Sequence, residues 1–168
     1  MKEIICRLER CLGCRACEIA CAVEHSQTKE LTAAVREHPA PQYRVRVLCV
    51  DDQGGKVRLR SLALQCRQCV DPACAAACIA GGITKDEATH TIRFNCEKCV
   101  GCWSCIMVCP YGAIVRRSDQ GVAVKCDRCP DREGPACVDA CPVHALVFVE
   151  PDEFEALCHE TEICHHRE

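Results

Sequence analysis

Cysteine is the residue through which this sequence could do chemistry, and most of its 21 cysteines fall into four closely spaced blocks. The first and third blocks, CLGCRACEIAC and CVGCWSCIMVC, share the spacing C-x2-C-x2-C-x3-C. The second and fourth, CRQCVDPACAAAC and CDRCPDREGPACVDAC, lengthen the gap before the third cysteine but keep the final x3 spacing. Thiols at this density form disulfides, bind zinc or bind iron–sulfur clusters.

The count and the spacing separate these three kinds of site. Disulfides predict an exported chain and usually an even number of cysteines, whereas the count is odd and MKEIICRLERCLGC has no signal-peptide pattern. Zinc prefers two separated C-x2-C pairs, so a third cysteine two residues further on has no role there. The run C-x2-C-x2-C-x3-C, ending in CP in the third block, is the spacing of bacterial iron–sulfur proteins. Four such blocks favour 4Fe-4S clusters.

The same spacing predicts how each block folds. Three cysteines at short intervals lie on a loop around one face of a cluster, with backbone N–H groups turned toward the sulfides. The fourth cysteine lies one helical turn after the third, since residues i and i+4 share a helix face. One cluster cannot take four thiolates from so tight a run, so the fourth thiolate is expected to reach a neighbouring cluster.

Composition limits the other possibilities. The 168 residues allow one domain or two small ones, and without cysteine the apolar fraction falls from 49% to about 36%. This is little material for an ordinary core, so clusters are expected to supply the cross-links. No apolar run is long enough for a membrane helix, and a net charge of −3 gives no reason to propose nucleic acid as a partner. Free thiols favour a cytoplasmic location.

Between the blocks, alternating apolar and polar residues predict short hairpins. The first joins YRVRVLCV to KVRLRSLAL through DDQGG, the second joins 83–85 to 90–94, and the third joins 113–117 to 122–124. HALVFVE predicts a last strand and PDEFEALCHE a short helix. The predicted fold is therefore α+β, with two interleaved bacterial-type dicluster ferredoxin modules. We expect an outer module at 1–25 and 110–150, an inner module at 60–109, an insertion at 26–59 and a tail at 151–168.

The block pattern, with C-x2-C-x4-C-x3-C second and a long-gapped fourth block, resembles the four-cluster iron–sulfur subunits of modular anaerobic oxidoreductases. That family includes the electron-transfer subunits of dimethyl sulfoxide reductase, formate dehydrogenase and hydrogenase complexes. CLGCRACEIACAVEHS followed by EHPAPQYRVRV is most similar to the iron–sulfur subunit of anaerobic carbon monoxide dehydrogenase, and tungsten aldehyde oxidoreductases have similar small subunits. The resemblance, over about residues 4 to 150, implies a non-catalytic subunit that passes electrons between a catalytic subunit and a second redox protein.

The resemblance also implies a crossed set of ligands for four 4Fe-4S clusters. The two outer clusters would be bound by Cys11, Cys14 and Cys17 with Cys141, and by Cys126, Cys129 and Cys137 with Cys21. The two inner clusters would be bound by Cys66, Cys69 and Cys74 with Cys109, and by Cys99, Cys102 and Cys105 with Cys78. Ala22 and Ile79 depart from the proline that often follows the last cysteine of a ferredoxin block. Four such clusters would bring the formal charge from −3 to about −11.

Five cysteines remain outside these sets: Cys6, Cys49, Cys96, Cys158 and Cys164. Cys6 and Cys49 lie in strand-like runs and are predicted to be small core residues. Cys96 forms C-x2-C with Cys99, but only the register that begins at Cys99 yields the full run. The tail, with Cys158, His159, Cys164, His165 and His166, could bind an extra metal or be a polar terminus without a ligand.

Several residues between the cysteines are also candidates for a role. Trp103 is predicted to shield a cluster from water. Arg15, Lys98 and Arg128 could favour reduced, more negative clusters or could simply be solvated side chains. The sequence shows no nucleophile or metal-pair spacing for its other histidines, which are predicted to be surface or packing residues: His25, His38, His90 and His144.

Two other functions stay open at this point: a zinc-stabilised interaction module and a self-sufficient iron–sulfur enzyme. Zinc without visible colour would favour the first. The second would need a cluster with an open iron and one missing thiolate, whereas all four blocks are complete. No acid–base constellation appears in the sequence, so no catalytic residue is predicted.

Overall fold

The computed structural model describes residues 2–50, 60–117, 119–154 and 156. Its strands are β1 (Glu3–Cys6), β2 (Arg46–Val50), β3 (Arg60–Leu64), β4 (Ile83–Lys85), β5 (Ile92–Phe94), β6 (Ile114–Arg117), β7 (Val122–Lys125) and β8 (Leu146–Val149). Its α-helices are α1 (Ala16–Glu24), α2 (Leu31–Ala34), α3 (Ala73–Ala76), α4 (Ser104–Val108) and α5 (Ala136–Asp139). A 3₁₀ turn covers Cys96–Lys98, and residues 151–154 are helical. The fold therefore consists of short helices and short strands, as an α+β architecture requires.

The described strands form antiparallel pairs. The three predicted hairpins are present as β2–β3, β4–β5 and β6–β7. The predicted last strand is present as β8, and it pairs with β1 so that Glu3 lies opposite Val149. This pairing joins the two ends of the described sequence; the run around Cys6 is strand-like in sequence, but its pairing with β8 was not predicted. The DDQGG turn and most of the predicted helix after Phe154 lie outside the described residues.

Four of the helices carry the third cysteine of a block. Cys17, Cys74, Cys105 and Cys137 lie in α1, α3, α4 and α5. In the first block the fourth cysteine, Cys21, lies in the same helix one turn later, as predicted. In the other blocks the helix ends before the fourth cysteine, which follows within a few residues. The helices of these three blocks are therefore only four or five residues long.

The buried side chains form two cores, each joining two blocks. The first core brings together α1, α5, the insertion hairpin and the β1–β8 pair, with residues Ile4, Cys17, Cys21, Val45, Val47, Ala63, Cys126, Cys137 and Leu146. The second brings together α3, α4 and two hairpins, with residues Cys74, Ile83, Ile92, Cys105, Ile114 and Ala123. Blocks one and four thus share one core, and blocks two and three share the other. The division into modules at residue 110 remains a prediction.

A buried carboxylate attaches the insertion to the first core. Glu18, in α1, is 7% exposed and accepts a hydrogen bond of 2.6 Å from the backbone N–H of Val47 in β2. At the other end of the insertion, Glu30 caps α2 by accepting the N–H groups of Thr32 and Ala33. Among the described helices, none is long and apolar enough to cross a membrane.

Candidate iron–sulfur centres

The first C-x2-C turn of each block contains a left-handed residue immediately before its second cysteine. These residues are Gly13, Gln68, Gly101 and Arg128, with φ values of 69°, 51°, 67° and 65°. A positive φ costs a non-glycine residue roughly 1–2 kcal/mol, so the second and fourth blocks keep this turn against a backbone cost. The shared turn explains how four blocks with different gaps can present their first two thiols in the same way.

Glycine at position 101 is also required by space, which gives a stability prediction. A Cβ on Gly101 would lie 2.5 Å from the carbonyl oxygen of Gly121, at a φ of +67°. Gly81 has a similar φ of +60°, but a Cβ there meets nothing within 4 Å. Gly81→Ala is therefore expected to cost about 1–2 kcal/mol, and Gly101→Ala distinctly more, because a backbone clash is added to the same strain. Thermal unfolding of both cluster-loaded variants tests this order, and equal losses would contradict it.

The first group of thiols, set A, joins block one to block four. Cys11, Cys14, Cys17 and Cys141 line one cavity. The other lining residues are apolar or glycine apart from Arg15, which stands between two cysteines of block one. Cys17 is buried and Cys14 is exposed, so the cavity lies at the surface of the first core.

The second group, set B, lies deeper in the same core. It consists of Cys126, Cys129, Cys137 and Cys21, all of them buried. The thiol of Cys21 lies within electrostatic reach of the other three thiols. Since α1 packs against α5, Cys21 and Cys137 both belong to the first core. Cys21 of block one thus lies beside the thiols of block four, just as Cys141 of block four lies beside those of block one.

The inner blocks show the same crossed proximity of cysteines. Set C, formed by Cys66, Cys69, Cys74 and Cys109, lines one cavity. Set D, formed by Cys99, Cys102, Cys105 and Cys78, lines another together with Trp103. The Arg116 guanidinium lies 4.4 Å from the centre of the Trp103 ring, which holds the indole over set D.

The four sets form a row in the sense that each shares an element or a contact with the next. Sets A and B share α1, sets C and D share the segments after α3 and α4, and Cys66 of set C packs against the first core next to set B. The exposed thiols of the four sets are Cys14 in set A and Cys102 in set D, whereas sets B and C have none. The order A–B–C–D therefore has a surface thiol at each end and covered thiols in the middle.

The donor atoms and their surroundings suit a soft metal cluster. Burial raises the pKa of the Cys17 thiol to about 11 and that of Cys126 to about 12. Burial raises the pKa of Cys74, Cys105 and Cys137 as well. Thiolates cannot persist in these positions without a cation. The cavities of sets A and D are lined by cysteines and by no carboxylate or imidazole. Donors of this kind select iron–sulfur clusters, zinc or copper(I). The residues fit 4Fe-4S clusters, whose tetrathiolate binding they reproduce.

Backbone N–H groups point at three of the cysteines that complete another block's set. Cys141 accepts the N–H of Ala145 at 3.1 Å, Cys78 that of Gly82 at 3.2 Å, and Cys21 that of Arg44 at 3.1 Å. Such bonds stabilise a thiolate and raise the reduction potential of a cluster bound to it. The first two donors come from the residue four positions after the cysteine, so a local turn supplies them.

The remaining cysteines differ in position. Cys6 is partly buried against the first core beside Cys11 and Cys141, and burial raises its pKa to about 11. Cys49 is exposed, so its predicted core position is wrong. The reason is that the buried core ends at the Val47–Ala63 pair. Cys49 is the next residue of β2 on the same face, and it lies beyond the end of the core. Cys96 is exposed in the 3₁₀ turn, and the tail residues lie outside the described part of the sequence.

A polar network beside set B was not foreseen from the sequence. His25 shares hydrogen bonds with the Cys21 carbonyl oxygen at 2.7 Å and with Asp127 at 3.2 Å, and Arg44 donates to the same carboxylate. Burial alone would lower the pKa of His25 because it disfavours the protonated imidazole, but the hydrogen bond to Asp127 raises that pKa to about 9. Arg44 and His25 hold the pKa of Asp127 well below its usual range although burial alone would raise it. No local signal predicts this network, because its members come from three distant segments.

The other predicted residues have these positions. Arg15 and Lys98 are exposed, whereas Arg128 is partly buried within electrostatic reach of Cys126 and Cys66. His38, His90 and His144 are exposed. Only Arg128, of the three cations, is therefore placed beside two different sets.

Comparison with known proteins identifies relatives over nearly the whole length. Residues 57–151 match the model of a family described as "4Fe-4S dicluster domain". The electron transport protein HydN of Escherichia coli is 38% identical over 94% of this chain and 93% of its own length. An iron–sulfur protein of Rhodospirillum rubrum is 35% identical over 90% of this chain and 84% of its own. The B subunit of the anaerobic dimethyl sulfoxide reductase of Escherichia coli is 36% identical over 86% of this chain and 71% of its own.

Proposed function

Because this protein belongs to the 4Fe-4S dicluster domain family, we propose that it is a non-catalytic electron-transfer subunit with four 4Fe-4S clusters. The observation that carries the proposal is the row of thiol sets A–B–C–D, with an exposed thiol at each end. Each bound cluster supplies one-electron redox chemistry, and the chain supplies thiolates, hydrogen bonds and exclusion of water.

In this proposal each set binds one cluster, and the ligands are crossed between blocks. Cys141 completes the set of block one, Cys21 that of block four, Cys109 that of block two and Cys78 that of block three. Three observations support it: sets A, C and D each line a cavity of their own, Cys137 lies within electrostatic reach of the other three thiols of set B, and the linings of sets A and D offer no carboxylate or imidazole. The crossing also ties blocks one and four, which are far apart in sequence, into one outer pair.

The ends of the row are the places where redox partners dock. Around set A, the loop before α1 exposes Leu8 and Leu12, the latter at 70%, and Leu12 lies between the cations Arg10 and Arg15. Around set D, Ile79 and Val100 are exposed at 77% and 66% next to cysteines of that set. Exposed apolar side chains beside an exposed thiol give a partner a dry contact close to the cluster, and the cations at set A favour an acidic partner there.

The partners we propose are a catalytic oxidoreductase subunit and a second electron donor or acceptor. The segment from Cys11 to Ser26 with EHPAPQYRVRV supports carbon monoxide dehydrogenase as the catalytic partner. Tungsten aldehyde oxidoreductase, formate dehydrogenase and hydrogenase complexes are the alternatives. A cytoplasmic location follows from the need of so many free thiols for a reducing compartment.

Metal and sulfide analysis of the full-length protein, purified without oxygen, tests the cofactor content. We expect about 16 irons and about 16 sulfides per chain, with a broad visible absorption that bleaches on reduction. About eight irons would reduce the proposal to two clusters. Zinc without colour would replace it by the interaction module.

The same preparation tests the catalytic partner. Mixed with a catalytic carbon monoxide dehydrogenase subunit under carbon monoxide, the loaded protein is expected to bleach, and without that subunit it is expected to stay coloured. Bleaching by formate dehydrogenase with formate, but not under carbon monoxide, would favour the alternative partner. Turnover of either substrate by the isolated protein would contradict its non-catalytic role.

A further inference from the structure

A buried polar bridge connects the two cores. Lys125, at the end of β7, is 3% exposed, and its Nζ donates to the carbonyl oxygens of Ile92 at 2.5 Å and Cys126 at 2.7 Å. Gln68, also 3% exposed, donates to the same Cys126 oxygen at 3.2 Å and accepts the N–H of Ile92 at 2.7 Å. Two side chains therefore bind the same two backbone segments, one from each core.

This bridge lies between the two middle sets of thiols. Cys126 belongs to set B, and Gln68 immediately precedes Cys69 of set C. Burial raises the pKa of both Cys74 and Cys126, and the Lys125 ammonium opposes that rise at each of them. The cation therefore acts on both central sets.

The charge of Lys125 has no carboxylate partner among the ion pairs of the described residues. A buried ammonium is costly, and two carbonyl dipoles compensate only part of that cost. The compensating negative charge is available from the clusters, since each cubane with four thiolates carries a net −2. Gln68 alone already joins the two segments with neutral hydrogen bonds, so a purely structural bridge would not need a cation.

We propose that Lys125 is a positioning residue for electron transfer between sets B and C, and that its charge favours the reduced state of both central clusters. Reduction adds one negative charge to a cluster, and a cation in the low-dielectric interior stabilises that charge more than a surface cation can. Gln68 fixes the position of the Cys126 and Ile92 segments relative to each other through its two hydrogen bonds. These bonds also offset the cost of its positive φ. The proposal rests on the four-cluster function above.

Two matched substitutions separate charge from packing. Lys125→Met and Gln68→Met each remove one side chain from the same bridge, but only the first removes a charge. In a potentiometric titration followed by electron paramagnetic resonance, Lys125→Met is expected to move two of the four one-electron waves to lower potential. We expect about a tenfold lower ratio of reduced to oxidised cluster at fixed potential, which corresponds to about 59 mV for one electron. Gln68→Met is expected to lower thermal stability and leave the waves in place.

Three further variants complete the test. Lys125→Arg keeps the charge and is expected to keep the waves near their original potentials. Lys85 also donates to a backbone carbonyl, that of Val70 at 2.6 Å, but in an exposed position, so Lys85→Met is expected to shift nothing. If Lys125→Met does not assemble, Gln68→Glu places a negative charge in the same bridge and is expected to lower the same two waves.

The outcomes decide between charge, packing and a wrong cluster count. Unchanged waves in a fully loaded Lys125→Met protein, or in Gln68→Glu when Lys125→Met does not assemble, overturn the proposal. An equal shift in Gln68→Met overturns it too, because potentials would then follow packing. Fewer than four waves in the unsubstituted protein would contradict the proposed function instead, and the iron count registers that failure before any variant is made.

Discussion

Cys141→Ala is expected to abolish the cluster of the first block, at the other end of the sequence. Cys141 lines the same cavity as Cys11, Cys14 and Cys17, and no other cysteine of the described residues lines it. A 4Fe-4S cluster that loses one of its four thiolates in so tight a cavity loses its anchoring, so we expect the iron content to fall by about four per chain. Iron and sulfide analysis of the anaerobically purified variant measures this loss directly.

Pairs of substitutions then assign the lost cluster. Cys14→Ala combined with Cys141→Ala is expected to remove no more iron than either alone, because both thiols belong to set A. Cys129→Ala combined with Cys141→Ala is expected to remove about eight irons, since Cys129 belongs to set B. Cys49→Ala, at an exposed thiol outside all four sets, is the control and should lose none. If the Cys14 and Cys141 losses added up while those of Cys129 and Cys141 did not, block four would bind its own fourth cysteine and the crossed assignment would be rejected.

Removing all the clusters is expected to abolish the cooperative fold. The first core contains four cysteines among its nine buried residues, and the aromatic content of the sequence is 4%. Without iron, those buried thiols would lose the group that links them, and few apolar side chains would remain to hold the core together. The expected loss is the whole free energy of unfolding, typically about 5–15 kcal/mol for a domain of this kind.

Chelation of iron under reducing conditions, followed by calorimetry and near-ultraviolet circular dichroism, measures this effect. We expect the heat-absorption peak to vanish and the aromatic signal to collapse, and we expect both to return when iron and sulfide are added back. Oxidation is excluded as a cause by keeping the thiols reduced throughout. A chelated protein with a sharp unfolding transition near that of the loaded one would show that the apolar residues suffice.

Local patterns were enough for the elements that depend on neighbouring residues. The alternation in 83–94 and 113–124 predicted hairpins that are present as β4–β5 and β6–β7. The x3 spacing predicted a single helical turn between the last two cysteines of a block, and α1 has it between Cys17 and Cys21. Cys49 shows the limit of the same approach. Its strand alternates as predicted, but the alternation does not show which residues on the inward face are covered by the core.

Contacts between distant segments had no local signature. β1 needs β8 for its hydrogen bonds, and the run IIC alone does not predict a pairing strand more than a hundred residues away. His25, Arg44 and Asp127 meet beside set B from three segments, and each alone resembles an ordinary surface residue in sequence. Lys125 and Gln68 converge on the same two backbone groups only because the two cores are packed together.

By itself the sequence determined the class of cofactor and the local shape of each block, because thiol spacing and backbone turns act over a few residues. It also determined that the protein has little apolar material with which to fold without metal. Only the tertiary structure decided which distant thiols share a cavity, which thiols reach the surface and where a buried cation lies. These depend on the packing of one core against another, and the free energy of that packing comes from residues that meet only in the folded state.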